Sequence, residues 1–133
     1  MLLRRVHLWA GTITVVAFLI SGQFMRHHNP PMDALPIAVR MVFRSRHIYI
    51  LASGLVNLML GIYVQPVKGR RRAIQRIGSG LLLVSPVLLT SGFAVETAAG
   101  AHPGAMWSQF GLYSLFGGSI LHVAASAGRR SAG

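Results

Sequence analysis

The chain has 133 residues, of which 53% are hydrophobic and only 11% charged, and its formal net charge is +11. Mean hydropathy is +0.55. The absence of cysteine excludes disulfides, thiolate metal sites, thiol redox chemistry and c-type haem attachment.

Four apolar stretches, roughly 6–25, 47–64, 77–95 and 105–127, take up most of the sequence. A helix rises about 1.5 Å per residue, so about 20 apolar residues cross a hydrocarbon core about 30 Å thick. The fold class expected is therefore all-α: a polytopic four-helix transmembrane bundle in one domain, because the connecting segments are too short to hold a second core. The opening Met1-Leu2-Leu3-Arg4-Arg5 imitates a signal peptide. The apolar run behind it is too long for such a segment and lacks a small-residue cleavage site, so it reads as an uncleaved first helix.

The segment between the first two spans is the longest connection. Asn29-Pro30-Pro31 stops the first helix, and Pro36 can open a new one. From Ala34 the pattern is helical again, with Arg40, Arg44 and His47 on one face and Val39, Val42 and Phe43 on another. This predicts an amphipathic segment on the outer surface leading into the second span.

Thirteen basic residues set the expected orientation. With four spans, both termini share a side with the 65–76 loop. That side carries nine basic residues and no acid, whereas the other carries four, plus Asp33 and Glu96. The positive-inside bias places both termini in the cytoplasm, as in a multi-pass protein of a bacterial-type inner membrane. The basic loop is expected to meet anionic lipid rather than nucleic acid.

Small and polar residues line particular helix faces. The second span carries His47, Gly54, Asn57 and Gly61 on one stripe. The third carries Gly78, Ser85, Gly92 and Glu96, with Pro86 predicted to kink it. The fourth carries Ser108, Gly111, Gly118, Ser119, His122 and Ser126. Such stripes bring bilayer helices together, or bring a copy or a protein partner against them, and Asn57 needs a hydrogen-bond partner in the membrane. The middle third holds no charge, which argues against a carrier working through an intramembrane carboxylate; transport through a passive pore of several copies stays open. No residue takes a catalytic role from the pattern.

The histidines form two groups. His7 opens the first span and His122 closes the fourth, both on the side of the termini. Haem b in a helical bundle takes two facing imidazoles at matching depth, with small residues beside them for the macrocycle. Gly11 lies one turn deeper than His7 and Gly118 one turn deeper than His122, a mirror-like arrangement around one slot. Counted along ideal helices, the two histidines lie about 13 and about 9 Å from the midplane. Arg4 and Arg5 are placed to pair with propionates. The plainer alternative is that these histidines hydrogen-bond to neighbouring helices. The second group, His27, His28, His47 and His102 with Glu96 and Asp33, lies at the opposite rim and offers ligands of the kind Zn²⁺, Cu²⁺ or Ni²⁺ take. One alternative is that Glu96 neutralises Arg40, Arg44 or Arg46 while the histidines cap helices; another is a quinone or haem near the outer surface, using His28 or His47.

Arg5-Val6-His7-Leu8-Trp9-Ala10-Gly11 resembles the helix start of PepSY-type transmembrane proteins and of small bacterial b-type cytochromes. That resemblance covers one helix and implies that His7 is a haem ligand. The layout is also similar to the four-helix HemJ-type protoporphyrinogen oxidases, with a histidine opening the first helix and Arg26-His27 closing it. That family relies on an intramembrane lysine, and no lysine lies within any span here. The reading favoured is a small membrane protein that binds haem b and carries electrons. The alternative is a non-enzymatic accessory subunit of a larger membrane complex.

Overall fold

The computed structural model describes residues 2–98 and 105–127. Among these the chain is helical, with four long helices: α1 (Leu2–Arg26), α2 (Ile37–Tyr63), α3 (Arg71–Ala98) and α4 (Met106–Ala127). All four are long and apolar enough to cross a membrane. The helices outrun the apolar windows because a hydropathy pattern marks the apolar part of a helix, not its ends. The expected amphipathic segment is continuous with the second span in α2. Between α1 and α2 a single 3-10 turn, Met32–Ala34, fills the connection. Before α3, Gly69 takes a left-handed conformation with φ 66°, and its carbonyl accepts from Arg72 N–H at 3.0 Å as the helix begins.

The four helices run alternately up and down. Their proximal end holds the start of α1, the end of α2, the start of α3 and the end of α4. The architecture is two antiparallel hairpins, α1/α2 and α3/α4, docked through α2 and α3. Helix α1 meets α3 and α4 only lightly. Cavities open where the hairpins meet.

Within each hairpin, glycines let backbones touch. A Cβ on Gly11 would lie 2.6 Å from the Leu58 nitrogen, and one on Gly61 would lie 2.7 Å from the Leu8 nitrogen. In the other hairpin, a Cβ on Gly118 would lie 2.8 Å from the Gly78 carbonyl oxygen. This is the small-residue packing of bilayer helices, where lipid supplies no hydrophobic drive for association.

The polarity of the bundle is inverted relative to a water-soluble core. Trp9, Ile13, Val87, Phe116, Ile120 and Val123 face outward, whereas His7, Ser53, Asn57 and Ser85 are fully buried. A hydrocarbon surrounding would stabilise this outer surface and confine hydrogen-bonding groups to the interior.

Candidate functional site

The site begins with a proline. Pro86 lies inside α3 and has no N–H, so the Leu82 carbonyl four residues earlier lacks its helical donor. Two side chains fill the gap: Asn57 Nδ2 donates to Leu82 O at 2.9 Å, and Ser85 Oγ donates to it at 3.1 Å. Asn57 gives its second amide hydrogen to Ser53 O, also at 2.9 Å. Both amide hydrogens are thus committed to carbonyls, and Oδ1 is left to accept.

Its partner is His7, whose Nδ1 lies 2.7 Å from Asn57 Oδ1. Since Oδ1 can only accept, the ring must donate from Nδ1. In the neutral imidazole this fixes the tautomer and leaves a bare lone pair on Nε2. His7 is 0% exposed, and Nε2 is the single buried side-chain polar atom among the described residues without a hydrogen-bond partner. Leaving a buried polar atom unmet costs about 1–3 kcal/mol. An imidazole that donates one ring N–H to a fixed oxygen and holds its other nitrogen bare is the usual arrangement of a metal-ligating histidine.

His122 faces it from α4. The ring centroids are 6.3 Å apart and the ring planes cross at 83°. Two imidazoles on one metal ion, each with a metal–nitrogen bond of about 2.0–2.1 Å, place their centroids about 6 Å apart. His122 Nε2 lies 2.9 Å from Ser79 Oγ. Gly78 makes room for the ring: a Cβ there would lie 3.0 Å from His122 Cδ2. Neither Asn57 as the orienting partner of His7 nor Ser79 as that of His122 follows from the sequence, although the proline and the intramembrane asparagine were both visible in it.

Two parts of the expected site are corrected. Gly11 and Gly118 do not flank an open slot: Leu58 and Gly54 fill the space at Gly11, and Leu82 and Gly78 fill that at Gly118. Each glycine faces its hairpin partner because it is needed for close helix approach. Arg4 is also committed elsewhere, donating through Nε to Gly61 O at 3.2 Å and through Nη2 to Ile62 O at 2.8 Å. It caps the C-terminal end of α2, where a cation meets unpaired carbonyls. The open space lies beside His122 instead. A cavity of about 660 Å³ there is lined by Leu60, Tyr63 and Val64 from α2 and its end, Gln75 from α3, and Val123 and Ser126 from α4.

At the distal end the expected metal ligands are dispersed. His27 Nδ1 donates to Gln23 O at 2.9 Å, and His28 Nδ1 donates to Pro30 O at 2.8 Å. His47 stacks on Phe18 with centroids 4.0 Å apart and shares a hydrogen bond with Ser21 Oγ at 2.8 Å. Glu96 accepts from Arg46 Nε at 2.9 Å, from Ser108 N–H at 2.9 Å and from Ser108 Oγ at 2.5 Å. Its carboxylate thus joins α2 to the first turn of α4, where a negative charge is favoured. Asp33 approaches Arg40 at 3.8 Å in an exposed pair. Among the described residues, no three histidines or carboxylates are close enough to share an ion; His102 lies outside the described residues.

No family model, no curated protein and no solved structure matches the chain.

Proposed function

We propose that the chain is a small multi-pass protein of a bacterial-type inner membrane, with both termini cytoplasmic, that binds haem b through His7 and His122 and carries electrons. The observation that carries this reading is the bare, buried Nε2 of His7, on a ring held by Asn57 whose centroid lies 6.3 Å from that of a second imidazole, a separation suited to one shared metal ion. His7 supplies Nε2. His122 supplies Nδ1 if Ser79 keeps its hold on Nε2, or Nε2 itself if the ring releases Ser79. The cavity of about 660 Å³ beside His122, which His7 does not line, falls within the range of cofactor clefts, about 300–1,000 Å³, so a group held by both histidines requires the space around His7 to open. Arg5, Lys68, Arg70, Arg71 and Arg72 supply cations near the proximal rim for carboxylate groups. Haem b, when bound, supplies one-electron chemistry; the residues described hold it, orient it and keep its surroundings apolar.

The test is an absorbance spectrum of the detergent-purified protein from cells with ample haem. A Soret band is expected, and it should be lost in His7→Ala and His122→Ala. A wild-type protein loaded under these conditions with no Soret band would end the proposal. A second reading, a non-enzymatic accessory subunit, is supported by the commitment of Gly11 and Gly118 to helix packing. It predicts a stoichiometric protein partner that copurifies from native membranes without a chromophore.

A further inference from the structure

A second cavity, of about 540 Å³, opens at the distal end between α1, α2 and α3. Its floor is α2, with Phe43 and Ile50 buried. Its walls are α1 and α3, and its rim residues Ile20, Phe24 and Ala94 are exposed. In a bilayer this mouth faces the lipid, so an occupant arrives from the membrane.

Two features separate this cavity from a plain acyl-chain groove. The first is aromatic. Phe24, Phe43, Phe93 and His28 pack around one another with centroids 5.2–6.4 Å apart, most of them edge to face. Such a cluster favours a flat ring over a saturated chain. The second is polar. His28 lines the cavity, and its Nδ1–H is committed to the Pro30 carbonyl. In the neutral ring, Nε2 is then an acceptor with no hydrogen to give.

From this we infer that the distal cavity binds the aromatic head group of an isoprenoid quinol, with a ring hydroxyl donating to His28 Nε2. The reduced form is selected because it carries the donor; the quinone offers only carbonyl acceptors to the same nitrogen. The site is independent of the proximal histidine pair. α1 carries the chain 19 residues from His7 to Arg26, about 29 Å of helical rise, before it reaches His28, so the inference stands or falls separately from haem binding.

The experiment compares a short-tailed decyl quinol with its quinone, both titrated anaerobically against the full chain in nanodiscs. One hydrogen bond of about 0.5–1.5 kcal/mol corresponds to a preference of about 2- to 12-fold for the quinol. His28→Phe keeps an aromatic ring and removes the acceptor, so the preference should fall to unity. Ala94→Phe, which places a ring at the mouth, should weaken both forms. Equal binding of quinol, quinone and decanol by the wild type would show a lipid groove only and overturn the inference. So would a preference for the quinone. Both of these outcomes are read on the unaltered protein, so a variant that fails to fold does not obscure the result.

Discussion

At the scale of single residues, the proximal site depends on one chain of hydrogen bonds in which every donor and acceptor is determined. Pro86 frees the Leu82 carbonyl, Asn57 fills it, and the remaining amide oxygen dictates which nitrogen of His7 is bare. Asn57→Leu removes the acceptor that fixes the tautomer while keeping a similar volume. Loss of an orienting partner typically lowers metal affinity about 10- to 100-fold, and haem titration into the apoprotein measures this directly. The same substitution costs the bundle an interhelical bond, about 0.6–1.7 kcal/mol in membrane proteins, against about 1.4–2.7 kcal/mol for a 10- to 100-fold loss of affinity. Binding that holds at wild-type strength in Asn57→Leu would remove Asn57 from the site.

At the scale of helices, the hairpins are held by backbone contact and by one ionic clamp. Gly61→Ala would place a Cβ 2.5 Å from Leu8 Cγ and 2.7 Å from the Leu8 nitrogen. The backbone atom cannot yield without separating α1 from α2, so this variant should melt well below the wild type in detergent. Gly80→Ala is the control. It lies in the same kind of helical position with nothing within 4 Å of a new Cβ, and alanine there should be neutral or stabilise by about 0.5–1 kcal/mol. Equal melting of the two variants would refute close backbone contact. The clamp is Arg46–Glu96–Ser108, whose side chains are 14% exposed for Arg46 and 6% for Glu96. Glu96→Gln leaves a half-buried guanidinium without its countercharge, and breaking a fully buried pair from one side, the upper limit here, costs about 3–5 kcal/mol. The double variant Arg46→Met with Glu96→Gln should recover most of that loss in the same unfolding assay.

At the scale of the molecule, two hairpins joined along α2 and α3 leave a cavity at each end, and the two differ in chemistry. The absence of native cysteine makes orientation directly measurable. With both termini in the cytoplasm, Lys68→Cys should react with a membrane-impermeant maleimide only after the cytoplasmic face is opened, and Asp33→Cys should react in intact cells or spheroplasts. The reverse pattern would invert the topology. Much of this architecture was legible in the sequence. Length and hydropathy identify four spans, and the stripes of Gly54, Gly61, Gly111 and Gly118 identify faces that pack. The pairing of His7 with His122 was legible as matched depth; their meeting was not, because depth does not say which helices are neighbours. The glycines beside them misled for the same reason: a small residue permits close approach, and the sequence does not say whether a helix or a flat ring makes it. The distal histidines were legible only as residues sharing a rim, since the pattern does not reveal that Gln23, Pro30 and Ser21 each hold one ring nitrogen, Nδ1, of His27, His28 and His47.

The break that Pro86 makes in α3 ties three positions together that are far apart in the chain. With alanine at 86, the Leu82 carbonyl regains its helical donor, and Asn57 is left with Ser53 O as the acceptor that still needs its amide hydrogens. Its Oδ1 still faces His7, but the side chain is held from one side rather than two. The effects of Pro86→Ala and Asn57→Leu on ligand affinity should therefore be strongly non-additive in a double-mutant cycle, each largely masking the other. Across relatives of this chain, the same dependence should appear as covariation: where the proline is lost, the asparagine should be released to drift with it.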